Sequence, residues 1–346
     1  MVALSLSSPR VFVARWDLDK TYLRTDFDTV RDLLRTAVER PDQKRTVPGA
    51  AALMRELGDG GTSIHILSGS PEQLRRRIIE KLDLDGVAFA SLTLKPNLQN
   101  ILRLRFRAVR GQLGYKLPAL LRGRCELPRT PKREPILEVL LGDDAEADAF
   151  VYSLYADVCR GDVSGERLGR LLKVGHCYDD DIRDAVRLAS YLEPEPTVER
   201  ILIHLDRQSS PVDFDHFGAR VVPFFNYLQA ALVLLEDHRL SAEAVLRVAR
   251  ELVTRHHFEG SALARSYLDL ARRGHADGRA LPELVRAYAA GLERRPLLGD
   301  SELGAMLSEL EAHASDLAAT PRKADRRVDY EALIANHNPR RRKRRR

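Results

Sequence analysis

Short apolar runs rich in β-branched residues recur along the first two thirds of the chain, separated by segments with helical periodicity. The apolar runs cover residues 10–16, 62–67, 87–94, 136–141, 199–205 and 219–224. The helical segments between them include residues 48–58, 71–82 and 144–158. Strands that alternate with helices are typical of a mostly parallel sheet with both faces covered. The pattern therefore predicts an α/β fold, a doubly wound, mostly parallel sheet with helices on both faces.

The hydrophobic pattern changes after about residue 160. Two helical segments within residues 161–195 end in a proline-rich stretch, and we interpret them as a helical insertion in a sheet domain of residues 1–240. Residues 241–320 are helix-periodic and punctuated by Gly, Pro and Asp, which predicts a helical appendage. Residues 321–346 are polar and charged, which predicts a disordered basic tail.

The net charge of +6 resides in that tail, because the last seven residues, Arg340–Arg346, are all Arg or Lys and the other residues together are nearly neutral. Such a cluster could contact an anionic membrane or nucleic acid. A non-specific extension that only adds solubility is the alternative. The tail carries no interleaved aromatic residues, so base stacking is not expected.

Composition predicts a globular protein of the cytoplasm. It has 44% hydrophobic and 31% charged residues, and it contains neither an apolar run of about 20 residues nor a signal-peptide pattern. The three cysteines, Cys125, Cys159 and Cys177, are well separated. Their spacing indicates neither a disulfide framework nor a zinc site.

Polar residues that could act on a phosphate follow the first two apolar runs. Asp17, Asp19 and Thr21 come directly after the first run, and Ser68 follows the second. The carboxyl ends of strands are where open α/β sheets bind ligands. One carboxylate could attack phosphorus while the other manages the proton. Pro71 is predicted to begin a helix whose N-terminus would favour an anion.

A cation and an acidic cluster complete the candidate chemistry. Lys116 precedes a predicted helix and could neutralise phosphate charge, with Lys95 as the rival donor. Asp143, Asp144 and Asp148 follow the fourth run and could supply oxygen ligands to Mg²⁺. Asp144 and Asp148 could instead be helix N-terminal residues favoured by the helix dipole, and the acidic run at 179–181 is best explained in that way.

An aspartate pair, a serine, a lysine and an acidic cluster, each predicted at the end of a strand, resemble the four motifs of the haloacid dehalogenase (HAD) phosphatase superfamily. Within it, HILSGSPEQL, GYKLPALL and LLGDDAEADAFVYSLYADV are similar to the catalytic domain of the actin-patch phosphatidate phosphatases, distant relatives of the lipins. The resemblance covers roughly residues 10–160 and, more faintly, 197–240.

The resemblance implies a Mg²⁺-dependent phosphomonoester hydrolase. It implies that Asp17 attacks phosphorus and becomes an aspartyl phosphate, and that Asp19 protonates the leaving group and then activates water. It further implies that Thr21 and Ser68 position phosphate oxygens or the loop, and that Lys116 holds the transferring group.

The same resemblance implies the metal ligands. Asp17, the backbone carbonyl of Asp19 and the carboxylate of Asp143 would bind Mg²⁺. Either Asp144 or Asp148 would support the ion directly or through water.

Three positions depart from the family pattern and bear on the substrate. Lys20 replaces an acidic residue, and Gly69 and Glu72 stand where the family often has Asn and Trp. Loss of the aromatic residue weakens the assignment to a lipid phosphate, because Trp suits a membrane interface. Two alternatives follow: a nucleic-acid-end phosphatase, and a catalytically silent HAD-like module that binds an anionic membrane or nucleic acid through its basic tail.

Overall fold

The computed structural model describes residues 12–23, 45–95, 109–128, 134–145 and 147–336. Within them, six strands form one sheet in the order β3-β2-β1-β4-β5-β6, and all neighbours are parallel. The strands are Phe12–Trp16 (β1), Ser63–Pro71 (β2), Ser91–Lys95 (β3), Leu137–Asp143 (β4), Val198–His204 (β5) and Val221–Phe224 (β6). Each overlaps one of the six apolar runs, so the prediction of a parallel α/β sheet is confirmed.

Helices connect the strands and cover both faces of the sheet. Those up to residue 240 are Ala50–Asp59 (α1), Arg75–Leu84 (α2), Val109–Cys125 (α3), Asp148–Arg160 (α4), Gly165–Val174 (α5), Asp179–Ala189 (α6) and Tyr227–Glu236 (α7). Those beyond are Ala242–His256 (α8), Gly260–Arg272 (α9), Leu281–Arg294 (α10), Asp300–Ala312 (α11), Ala314–Ala319 (α12) and Tyr330–Asn336 (α13). Helices α5 and α6 lie within residues 161–195, between β4 and β5 along the chain.

The chain order reverses at β1, because β2 and β3 extend the sheet on one side of it and β4, β5 and β6 extend it on the other. All five residues of β1 are buried, and the amide of Asp17 still donates to the carbonyl of Leu141 on β4 at 2.9 Å. In open α/β sheets, ligands bind beyond the carboxyl ends of the strands at such a reversal. The loop that follows β1 occupies this position.

Two hydrophobic cores lie on the two faces of the sheet. One contains Trp16 together with residues of α1, α7, α8 and α9, and the other contains residues of α3, α4, α5 and α6. The helices predicted as an appendage therefore share a core with the sheet. Leu252 of α8 and Met306 of α11 are fully buried in the same cluster as Trp16.

The chain beyond residue 320 packs against the sheet domain as far as it is described. Val328, Tyr330 and Ile334 are buried in the second core, and the hydroxyl of Tyr330 donates to Asp157 Oδ2 at 2.6 Å. The expected disorder is corrected for residues 321–336, because a few apolar residues anchor an otherwise polar segment. The basic cluster Arg340–Arg346 lies outside the described residues.

Two predicted helix boundaries are wrong. Pro71 is the last residue of β2 and is followed by a short 3₁₀ turn, so α2 begins only at Arg75. Lys116 lies in the interior of α3, although Pro118 two residues later favours a helix start. Gly114 of α3 allows Asp181 to approach, because a Cβ there would lie 2.6 Å from Asp181 Oδ2.

Candidate active site

Three aspartates meet where β1 and β4 end. Asp17 follows β1, Asp143 is the last residue of β4, and Asp148 begins α4. Carboxylate oxygens from the three residues lie within 4.8 Å of one another, and all three side chains are buried. The group could hold a metal ion, because buried carboxylates are costly unless they are paired or coordinate a metal. Oxygen ligands of this kind suit a hard divalent cation such as Mg²⁺.

Lys116 joins two of these aspartates. Its Nζ atom lies 3.0 Å from Asp17 Oδ1 and 2.5 Å from Asp148 Oδ1, and its side chain is fully buried. The rival donor, Lys95, ends β3 with its Nζ 5.4 Å from the centre of the Tyr115 ring. Of the two lysines, Lys116 is therefore the one whose ammonium group contacts the aspartates.

The turn after β4 positions Asp143 and Asp148. The amide of Ala145 donates to Asp143 Oδ1 at 2.5 Å, and the amide of Asp143 donates to Asp148 Oδ2 at 3.2 Å. Gly142 leaves space for Asp148, because a Cβ at position 142 would lie 2.4 Å from Asp148 Oδ2. Gly142 is therefore needed for the carboxylates of Asp143 and Asp148 to lie side by side.

Asp144 has a different role from its neighbours. Its two carboxylate oxygens accept hydrogen bonds from the amides of Arg207 and Ser209, at 2.9 and 3.1 Å. The side chain therefore fixes the loop after β5 to the end of β4. Of the two candidates for the second acidic residue, the structure brings Asp148 to Asp17 and Asp143.

Asp19 lies beside this group and is held by two serines. Asp19 Oδ2 accepts from Ser68 Oγ at 3.1 Å and from Ser70 Oγ at 3.0 Å. The amide of Ser70 donates to Ser68 Oγ at 2.9 Å, which orients the first serine. Both serines are buried, whereas Asp19 is partly exposed. Ser70 was not predicted from the sequence, and its only signal is the second serine of LSGS.

The loop after β1 turns sharply enough to bring Thr21 back to Asp17. Lys20 has φ 61°, in the left-handed region, and its amide donates to the carbonyl of Leu23 at 2.8 Å. Thr21 is fully buried, and its hydroxyl donates to Asp17 Oδ2 at 3.4 Å. Thr21 therefore fixes both the loop and the carboxylate of Asp17.

Aromatic residues from the opposite side support the same loop. The ring of Tyr227 stacks on that of Trp16, and its hydroxyl donates to the carbonyl of Thr21 at 2.5 Å. Burial, with Asp17 and Asp143 nearby, raises the pKa of Tyr227 well above its usual range, so the hydroxyl remains a donor. His204 Nδ1 lies 3.0 Å from the carbonyl oxygen of Lys20. Neither Tyr227 nor His204 is predicted from the sequence, because neither lies in a recognisable motif.

Tyr115 borders the site on the side of β2. Its hydroxyl donates to the carbonyl of Ser68 at 3.0 Å, and burial raises the pKa of Tyr115. Beside it, Glu72 and Arg75 form an ion pair at the surface, and Arg75 also donates to the carbonyl of Leu92 at 3.0 Å. Glu72 is thus part of the rim, at the position where the resembled family often has an aromatic residue.

Comparisons of the chain with protein-family models, with curated proteins and with solved structures found no match. The interpretation of the site therefore depends on its own geometry. Across the described ranges, none of the helices is both long and apolar enough to cross a bilayer.

Proposed function

We propose that this protein is a Mg²⁺-dependent phosphomonoester hydrolase of the HAD type that acts through an aspartyl phosphate on Asp17. The observation that carries the proposal is the position of Lys116, whose ammonium group contacts Asp17 and Asp148 while both carboxylates cluster with Asp143. A nucleophile (Asp17), a group of carboxylates that could bind a metal, and a cation for phosphate oxygens (Lys116) would then lie next to one another. The position of this group at the reversal of strand order supports the same conclusion.

In the first step, a carboxylate oxygen of Asp17 attacks phosphorus, and the bond between phosphorus and the leaving oxygen breaks. Asp19 donates a proton to that oxygen. Lys116 and Ser68 stabilise the charge on the transferring phosphoryl group through their N–H and O–H donors. Thr21 keeps the attacking carboxylate in place through its hydrogen bond to Oδ2.

In the second step, Asp19 accepts a proton from water, and the water oxygen attacks phosphorus to release inorganic phosphate and regenerate Asp17. The carboxylates of Asp17, Asp143 and Asp148 would hold Mg²⁺. When bound, the ion would offset the negative charge of these carboxylates and of the approaching substrate. Phosphatidate or another lipid phosphate is one candidate substrate. Because the partly exposed Glu72 stands in place of an aromatic residue, other phosphomonoesters are candidate substrates as well.

The experiment that tests the proposal is Mg²⁺-dependent hydrolysis of p-nitrophenyl phosphate by the wild type and Asp17→Asn. We expect the variant to lose activity by at least about 1,000-fold, because the nucleophile is removed. Asp144→Asn is the matched control, since Asp144 is bound to the loop after β5, and it should retain most of the activity. Circular dichroism would check that both variants are folded.

Activity in Asp17→Asn equal to that of the wild type would remove Asp17 from the nucleophile role. A folded wild type with no metal-dependent activity would instead favour the silent binding module. In that case, binding to anionic vesicles or nucleic acid should depend on Arg340–Arg346. If the wild type is active, assays with phosphatidate, sugar phosphates, nucleotides and 5′-phosphorylated oligonucleotides would identify the substrate class.

A further inference from the structure

A row of polar residues crosses the sheet beneath α3, behind the candidate active site. Arg15 of β1 lies in register with His65 of β2, and His65 lies in register with Ser91 of β3. His65 Nδ1 is 2.8 Å from Ser91 Oγ, and His65 Nε2 is 3.0 Å from Ser63 Oγ. Strands of a parallel sheet covered on both faces are normally apolar throughout. His65 and Ser91 are half-buried, since β3 is the edge strand, but Arg15 is buried. A polar row that includes a buried arginine requires a physical reason.

A cavity of about 350 Å³ lies between this row and the C-terminal half of α3. Arg15, His65, Ser91 and Thr93 provide its polar surface, and its apolar walls include Leu67, Leu120 and Leu127. Gly123 of α3 keeps the cavity open, because a Cβ at that position would lie 2.8 Å from Arg15 Nη1. Binding sites for small molecules commonly combine apolar walls with a few polar groups in this way.

The guanidinium group of Arg15 carries the charge of this cavity. Arg15 is only 5% exposed, and its Nε atom donates to Glu138. Glu138 is shared, since it also accepts from Arg124 Nη1 at 2.7 Å and from the hydroxyl of Tyr155 at 3.0 Å. Within the described part of the chain, Nη2 of Arg15 is buried and has no hydrogen-bond acceptor. A buried donor without an acceptor costs about 1–3 kcal/mol, and more when it is charged.

The other polar groups of the cavity are neutral. Burial and the nearby Arg15 lower the pKa of His65, so the imidazole is uncharged at neutral pH. Besides Arg15, the charged residues among the described ones that line the cavity are Arg122 and Glu126. Both are exposed, and Arg122 pairs with Asp184 at 2.5 Å. The negative charge of Glu126 would disfavour a dianion. A single acceptor group with one negative charge therefore matches the cavity best.

We propose that this cavity binds a small organic monoanion, a carboxylate with a short aliphatic chain, whose head group pairs with the guanidinium group of Arg15, which lines the cavity. The aliphatic chain would lie against Leu120 and Leu127. The cavity holds roughly twelve water volumes of about 30 Å³ each, which is enough for an acid of about four to six carbons.

The cavity is distinct from the phosphatase site, and the inference does not depend on the proposed activity. Arg15 belongs to β1 and Asp17 directly follows that strand, so their Cα atoms are about 7 Å apart. Lys116 and Gly123 both belong to α3, so one helix borders both sites. Arg15 points to the side of α3 that carries Gly123, two turns from Lys116.

The test is isothermal titration of the full-length protein, freed of metal by a chelator, with sodium butyrate. We expect one butyrate per chain in the wild type and no binding of butanol, which lacks the charge. Gly123→Ala should weaken butyrate binding by at least about tenfold, because the added methyl group forces Arg15 into the cavity. The helical Gly→Ala change itself favours folding by about 1 kcal/mol, which offsets part of the cost of displacing Arg15. Circular dichroism would check that the variant is folded.

Gly58→Ala is the matched control, since it is also helical and its added Cβ would contact nothing within 4 Å. It should bind butyrate like the wild type, and so should Asp17→Asn. Thr93→Val, which removes a hydroxyl at nearly constant volume, should weaken binding without changing the stoichiometry.

Three results would overturn the proposal. Equal affinity of the wild type and Gly123→Ala, or no detectable heat at millimolar butyrate in the wild type, would exclude butyrate from this cavity. Binding of inorganic phosphate in place of butyrate, with the same sensitivity to Gly123→Ala, would make the cavity a site for inorganic anions. All of these measurements report binding, so they do not depend on whether the protein is a phosphatase.

Discussion

The carboxylate of Asp148 lies directly against the backbone of Gly142, where a Cβ atom would be 2.4 Å from Asp148 Oδ2 and 2.7 Å from Asp148 Cβ. Both distances are too short for any side chain at position 142. Gly142 is the penultimate residue of the buried strand β4 and Asp148 begins the next helix, so neither can move far. The close approach brings the acid of α4 to the end of β4, beside Asp143.

Gly142→Ala should therefore displace Asp148. We expect Mg²⁺ affinity and phosphatase activity to fall by about 10- to 100-fold, the usual effect of disturbing groups that orient metal ligands. Overpacking should also lower the free energy of unfolding by about 1–3 kcal/mol. Titration with Mg²⁺ and urea unfolding would measure the two effects. Gly291→Ala in α10, where an added Cβ meets nothing within 4 Å, is the control. Unchanged Mg²⁺ affinity in Gly142→Ala would contradict this role.

The sequence predicts the sheet well because each strand overlaps an apolar run, as burial of a parallel sheet on both faces favours. It also predicts that Asp17 and Asp143 meet, since parallel strands place their carboxyl ends at one edge. The position of Lys116 is harder to predict. Gly114 and Pro118, on either side of Lys116, both favour a helix boundary. Helix α3 nevertheless continues through both, and it accommodates the single proline. Gly114 serves instead to leave room for the side chain of Asp181.

The choice between Asp144 and Asp148 could not be made from spacing alone. It depends on the loop after β5, whose amides at Arg207 and Ser209 bind Asp144, and that loop is some 60 residues away in sequence. The same holds for Tyr227, which reaches the loop after β1 from a distant helix. Contacts of this kind are tertiary, and no local pattern carries them.

Lys116 is expected to stabilise the fold as well as the substrate. Replacing it with Met leaves Asp17 and Asp148 without the ammonium group that contacts both of them. Breaking a buried ion pair by removing one partner costs about 3–5 kcal/mol. Mg²⁺ should restore part of this loss, because the ion binds the folded state.

Urea unfolding of Lys116→Met with and without MgCl₂ would measure both effects. Lys95→Met is the control, because Lys95 is partly exposed at the end of β3, and it should lose less than about 1 kcal/mol. If the two variants lost equal stability, or if MgCl₂ stabilised Lys116→Met no more than the wild type, the proposed role of Lys116 would be excluded.

Ser68 and Ser70 should have separable kinetic effects. Each hydroxyl has one proton, and both protons are directed at Asp19 Oδ2 in the structure. When a phosphate binds, Ser68 can donate to it only by releasing Asp19, whereas Ser70 can continue to hold Asp19. Ser70→Ala should therefore lower kcat by about 10-fold or more with little change in KM, as expected for loss of a hydrogen bond to a charged group.

Steady-state kinetics of the two alanine variants would test this division. Ser68→Ala should raise KM as well as lower kcat. Ser63→Ala, at the opposite end of β2 and bonded to His65, is the control and should leave both constants unchanged. Identical kinetic changes in Ser68→Ala and Ser70→Ala would mean that the two hydroxyls act on the same step.

His275 should make the stability of the protein depend on pH. The side chain is 2% exposed, and burial together with Lys323 and Arg273 lowers its pKa from 6.5 to about 3. Between these values the unfolded chain binds a proton that the folded chain does not, so the free energy of unfolding falls as the pH falls below 6.5. From pH 7 to pH 5 this one residue should account for a loss of about 2 kcal/mol.

Urea unfolding at pH 7 and pH 5 would isolate that contribution by comparing the wild type with His275→Leu. Carboxylates titrate alike in both proteins, so the difference between them reports on His275. We expect His275→Leu to lose about 2 kcal/mol less than the wild type over this range. His257→Asn is the control, because His257 is exposed at φ 58°, a conformation that Asn tolerates, and it should behave like the wild type. If His275→Leu lost as much stability as the wild type, the imidazole of His275 would have to be protonated, or accessible to water, in the folded protein.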